Sequence, residues 1–162
     1  MKNDVEEELM VSISLFKCKR ARRLIVKGME GSYVDEFNHL ESYCNELKRS
    51  NPGSDVSLEL SKEALENGNR VFSRLYMCFN AAKMGWKAGC RPIIGVNGTF
   101  LKGNARGIML TATGLDANDS IYPIAIGITQ KENTVNWKWF CQWLKRSLKI
   151  EEGDNITIMS DM

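Results

Sequence analysis

The chain has 162 residues, of which 43% are hydrophobic and 26% charged, with a formal net charge of +2. That length and mixture suit a globular domain with a real core. The near balance of charge excludes a uniformly basic nucleic-acid binder, so any such preference must come from a local patch. No apolar run approaches the roughly 20 residues that span a bilayer, and the acidic start MKNDVEEELM lacks the apolar region of a secretory signal. The five cysteines (Cys18, Cys44, Cys78, Cys90, Cys141) are odd in number and form no C-x-x-C pair. They read as reduced, mostly buried thiols rather than a disulfide framework or a zinc site. Asn97, Asn118 and Asn155 each open an N-x-S/T triplet, which carries no meaning without a secretory signal.

In chain order, apolar spacing predicts a helix over about Val5–Met29, stopped by Gly28 and Gly31. Its second half holds Lys17, Lys19, Arg20, Arg22, Arg23 and Lys27. That cluster reads either as a phosphate-contacting helix or nuclear import signal, or as a solvated basic face offset by Asp4, Glu6, Glu7 and Glu8. A second helix is expected from Tyr33 to Arg49, opened by Ser32 and Asp35 in a capping-box arrangement. Tyr33, Phe37, Leu40, Cys44 and Leu47 form its apolar stripe. His39, the single histidine, lies off that stripe and reads as a surface residue, so no triad or two-His metal site can be built.

Asn51–Ser54 is a turn, and Asp55–Leu60 alternates as a short strand with Val56, Leu58 and Leu60 on one face. Residues 61–70 read as a loop or an exposed helical turn. Val71 to about Lys87 reads as a helix, with strand an alternative for its first half. Pro92–Phe100, Gly107–Leu115 and Ile121–Thr129 are three strands with short connections, which predicts an antiparallel meander. Asp116–Asp119 is the turn between the last two, and turn chemistry accounts for both of its aspartates better than catalysis does. Asn133 or Thr134 caps a helix to Leu148 that buries Trp137, Phe140, Trp143 (or Cys141) and Leu144. Ile156–Met159 is a fourth strand, able to pair parallel to the first after a right-handed helical crossover.

The fold class expected from this order is α/β, and a β-β-β-α-β run is the opening of a ribonuclease-H-like fold. The strings FSRLYMCFNAAKMGWKAGCRPIIGVNGTFLKG, LTATGLDANDSIYPIAIGITQKENTVNWKWFCQWLK and ITIMSD resemble the transposase domain of plant Mutator-like elements (MULEs). The resemblance runs from about residue 17 onward. The expected organisation has three parts: a helical region over 1–54 with its basic helix, a connecting strand and helix segment over 55–90, and, as the resemblance implies, an incomplete MULE transposase (ribonuclease-H-like) domain over 91–162.

The resemblance also implies DDE-type chemistry, in which three carboxylates hold two divalent ions, usually Mg²⁺, for DNA cleavage and strand transfer. The family's first aspartate falls at Asn97, its second at Asp161, and its third carboxylate has no position here. Asn97 offers a carbonyl oxygen without negative charge, so the expectation is a catalytically inactive, transposase-derived protein with at most a vestigial metal ligand in Asp161. The alternative is a transposase-derived DNA-binding or regulatory protein that uses Lys17–Lys27. A third possibility is an active enzyme that tolerates Asn97 and takes its glutamate from another chain. The implied partner is DNA and the implied location the nucleus. An uncovered last strand would further predict marginal stability or self-association.

Overall fold

The computed structural model of the chain describes residues 14–29, 33–102, 106–152 and 155–160. The chain divides into two units, Met1–His39 and Leu40–Met162. The first contains helix α1 (Leu15–Met29). Its opening residue is prepared by Ser14, whose side-chain oxygen accepts from the Lys17 amide at 3.3 Å. The part of the expected first helix that precedes residue 14, and the proposed cap at Ser32, lie outside the described residues.

Helix α2 (Tyr33–Ser50) runs into the second unit. There follow β1 (Asp55–Leu60), the short α3 (Lys62–Glu66), β2 (Phe72–Cys78), α4 (Asn80–Gly89), β3 (Ile93–Phe100), β4 (Ile108–Leu115), β5 (Ile121–Thr129), α5 (Thr134–Leu148) and β6 (Thr157–Ser160). The strands form one six-stranded sheet in the order β1-β2-β5-β4-β3-β6. All pairs are antiparallel except β3 with β6, which is parallel from Ile93↔Thr157 to Val96↔Ser160. The meander, the helix after it and the parallel fourth strand are those the sequence predicts, in a mixed α/β fold compatible with part of a ribonuclease-H-like domain.

Two expectations are corrected. Val71–Lys87 is not one helix: its first half is strand β2 and its second is helix α4. Tyr76 and Cys78 alternate with Leu75 and Met77 between two different clusters of side chains, the period of a strand. The buried stripe of α5 is also shifted. Trp139, Phe140, Leu144, Ser147 and Leu148 are buried, while Trp137, Cys141 and Trp143 are only partly so.

The sheet carries apolar side chains on both faces. On one face α4 and α5 cover Tyr76, Cys78, Ile94, Val96, Ile108, Leu110, Ala112 and Ile124. Full burial of side chains such as Phe140, Leu110 and Leu144 is worth about 1.5–3 kcal/mol each. On the other face Leu40, Cys44 and Leu47 of α2 pack with Val56, Leu58, Leu75 and Ile128. Gly127 makes room for α5, because a Cβ there would stand 2.7 Å from Phe140 Cδ2. At the far edge, all four residues of β6 are exposed.

Candidate functional site

Asn97 stands near the carboxyl end of β3, exposed, opposite Thr111 in the ladder. The Thr111 hydroxyl donates to the Asn97 carbonyl at 3.3 Å. Strand alternation puts Ile94 and Val96 into the core under α5 and turns Gly95, Asn97 and Thr99 to the other face. Asn97 therefore presents its amide from a rigid, doubly paired strand to solvent. Asp161 lies outside the described residues, and the β3–β6 pairing is described up to Val96↔Ser160.

A carboxylate not expected from the sequence reaches the exit of β3. Glu132, in the connection between β5 and α5, accepts from Trp137 Nε1 at 3.2 Å, and its Oε1 would lie 2.8 Å from a Cβ placed on Gly98. Gly98 follows Asn97, so by alternation this carboxylate and the Asn97 amide address opposite faces of the sheet. The two are not brought together. The sequence carries a weak signal for this contact at most, since only the missing side chain of Gly98 makes room for it.

The turn aspartates behave as turn residues. Asp116 Oδ1 accepts from the amides of Asn118 and Ser120 at 2.8 and 2.9 Å. Asp119 adopts the left-handed conformation (φ 61°) and pairs with Arg91 at 2.8 Å.

In the first unit, α1 carries six cations and no carboxylate in its 15 residues. Lys17, Lys19, Arg20, Arg22 and Arg23 are exposed, and Lys27 belongs to the helix although its side chain lies outside the described residues. Lys19, Arg20 and Arg23 fall at i, i+1 and i+4, which places them on one side of the helix. Like charges at these spacings destabilise an isolated helix by a few tenths of a kcal/mol per pair, and a polyanion reverses the sign. Leu15, Phe16, Leu24, Ile25 and Val26 are exposed on the same helix.

Residues 93–162 match the family model of the MULE transposase domain. This segment of the chain is similar to MULE transposase domains. The match begins at the first residue of β3, so β1 and β2 lie outside it although β2 pairs directly with β5. No curated protein and no solved structure matches the chain. MULE transposases imply the use of a divalent metal, and the described residues do not fit one. Asn97 supplies a neutral oxygen, Glu132 faces the other way, and no three His, Cys, Asp or Glu residues stand close enough to share an ion among the described residues. His39 is exposed on α2, and the cysteines are free thiols, with Cys18, Cys44 and Cys78 buried and Cys90 and Cys141 partly so.

Proposed function

We propose that this protein, of MULE transposase descent, binds DNA through the cations of α1 and does not cleave it. One observation carries the reading. The strand position that the resemblance assigns to the first metal-binding aspartate holds an exposed, uncharged amide in Asn97. A divalent cation stripped of part of its hydration needs anionic oxygen to offset its charge, and an amide at that point leaves the deficit in place. Two-metal cleavage also depends on close placement of both ions, so loss of one charged ligand weakens the whole arrangement. Asp161 would add one carboxylate, which does not restore the set.

DNA binding rests on separate chemistry. Arg20, Arg22 and Arg23, with Lys17, Lys19 and Lys27, give a dense positive helix that needs no metal to engage phosphates. The same cluster has the composition of a nuclear import signal, so a fluorescent fusion is expected in the nucleus and should leave it when the three arginines become alanine. The primary test is twofold. Supercoiled plasmid incubated with the protein and Mg²⁺ or Mn²⁺ should remain supercoiled while a labelled duplex is retained at low salt. Metal-dependent nicking would overturn the loss of chemistry. Absence of duplex binding at low salt would overturn DNA as the partner and leave only a catalytically inactive, transposase-derived protein.

A further inference from the structure

At the end of the sheet where β3 leaves and β4 begins, Phe100 is 77% exposed, more than any other large hydrophobic side chain among the described residues. It is not on a loose loop. Phe100 pairs with Ile108, and Leu101 continues the ladder by donating its amide to the Gly107 carbonyl at 2.9 Å. Ile108 in turn pairs with Thr129 at the end of β5. The ring is thus carried by a backbone fixed across three strands. Gly107 permits the close approach: at φ 149°, a Cβ there would stand 2.9 Å from the Thr129 carbonyl oxygen.

Two segments that meet at this end of the sheet carry exposed cations. Lys102 and Arg106 follow Phe100 on the β3–β4 connection, and Lys131 follows the end of β5 by two residues; all three are exposed. With strands about 4.8 Å apart, the ends of β3 and β5 are separated by about 10 Å, comparable to the reach of one or two nucleotides. Arg106 is held at a positive φ of 24°, an uncommon state for a non-glycine residue. The carboxylate at this end, Glu132, is engaged by Trp137 Nε1.

We infer that Phe100, with Lys102, Arg106 and Lys131, is a stacking platform for an unpaired DNA base, with the three cations taking the adjoining phosphates. A rigid, solvent-facing ring offers a flat surface to any base, and flanking cations hold the backbone without reading sequence. A base inside a duplex is already stacked and cannot use the ring, so the site selects single-stranded or splayed DNA. This deepens the DNA-binding reading above and rests on it.

The test uses the full chain and fluorescence anisotropy with a labelled single-stranded oligonucleotide of about 12 nucleotides, within the range such surfaces occupy. The blunt duplex of the same sequence is the comparison, and a 2-aminopurine base in the single strand reports stacking. Phe100→Ala and Phe100→Leu should weaken single-strand binding about tenfold and abolish the 2-aminopurine quenching. Duplex binding should be unaltered, and Phe100→Trp should keep both signals. Because Phe100 is exposed, these changes leave the core intact, which an unaltered urea unfolding midpoint verifies. Equal single-strand affinity and quenching in Phe100→Ala and wild type would overturn the platform while leaving duplex binding by α1 standing. Tighter binding to single-stranded RNA than to DNA would overturn the choice of partner. Failure to bind either form of DNA would remove the DNA reading itself and the platform with it.

Discussion

Asn97 differs by one group from the aspartate that the resemblance to MULE transposases implies there: a neutral amide nitrogen in place of a charged oxygen. Its surroundings, an exposed place on β3 opposite Thr111, would accept either side chain, so the change is one of charge and not of fold. Asn97→Asp should accordingly leave the unfolding midpoint within about 0.5 kcal/mol of wild type, as for other surface substitutions. The core is far less tolerant. Gly127→Ala drives a methyl to 2.7 Å from Phe140. The expected loss is about 1–3 kcal/mol, measurable by urea unfolding; a neutral result would mean that α5 does not press on β5 as described. Asn97 and the basic residues of α1 were legible in the sequence from a string and a cluster. Phe100 was legible only as a strand residue, because its exposure depends on where α5 stops covering the sheet.

Between elements, the contacts that orient α5 are not encoded locally. Trp139 Nε1 donates to Glu59 Oε1 of β1 at 2.7 Å, and Arg74 of β2 both pairs with Glu59 at 2.7 Å and lies 4.9 Å from the Trp139 ring centre. The sequence pattern favours Trp137 for the core because nothing within α5 announces partners 80 residues away. Trp139→Phe keeps most of the apolar surface and removes the donor, leaving Glu59 still paired with Arg74. The expected cost is about 1 kcal/mol, and a double-mutant cycle with Glu59→Gln should give a coupling of similar size; zero coupling would mean the bond contributes nothing. The boundary between β2 and α4 was hidden for a related reason. Phe79 occupies the cap position of α4 without any side-chain hydrogen bond to the helix, so the usual Ser, Thr, Asp or Asn start signal is missing. By contrast β4 alternates buried and partly buried residues along its whole length, and Asn133 caps α5 by accepting from the Asn136 amide at 2.8 Å. Those elements were readable directly.

Across the molecule, the β1–β2 hairpin extends the sheet beyond the segment that matches the MULE domain. This pairing depends on distant strands and has no local signature. Its core has a consequence for pH. Burial raises the Tyr76 hydroxyl well above its ordinary value of 10.0, against the opposing hydrogen bond to Ser147. Burial likewise pushes the Cys78 thiol above its ordinary 9.0, opposed by the hydrogen bond with Tyr76. As pH rises past 9, the unfolded chain loses these protons before the folded one does, so the folded state binds more protons and stability falls. The stability these groups lend is fully present at neutral pH. The urea midpoint should therefore be lower at pH 10 than at pH 7, and Tyr76→Phe combined with Cys78→Ala should reduce the difference; an unchanged difference would mean other groups cause it.

DNA binding by the charged helix α1 is the proposed property that ties this chain to transposases. Its most direct test is the salt dependence of duplex binding by the wild-type chain and by the Arg20→Ala, Arg22→Ala, Arg23→Ala variant. Each phosphate contact contributes about 0.9 to the slope of log affinity against log salt. Loss of three cations should flatten the slope by about 2–3 and weaken binding at low salt, with the unfolding midpoint unchanged. The same slope and affinity in both proteins would show that α1 does not contact DNA.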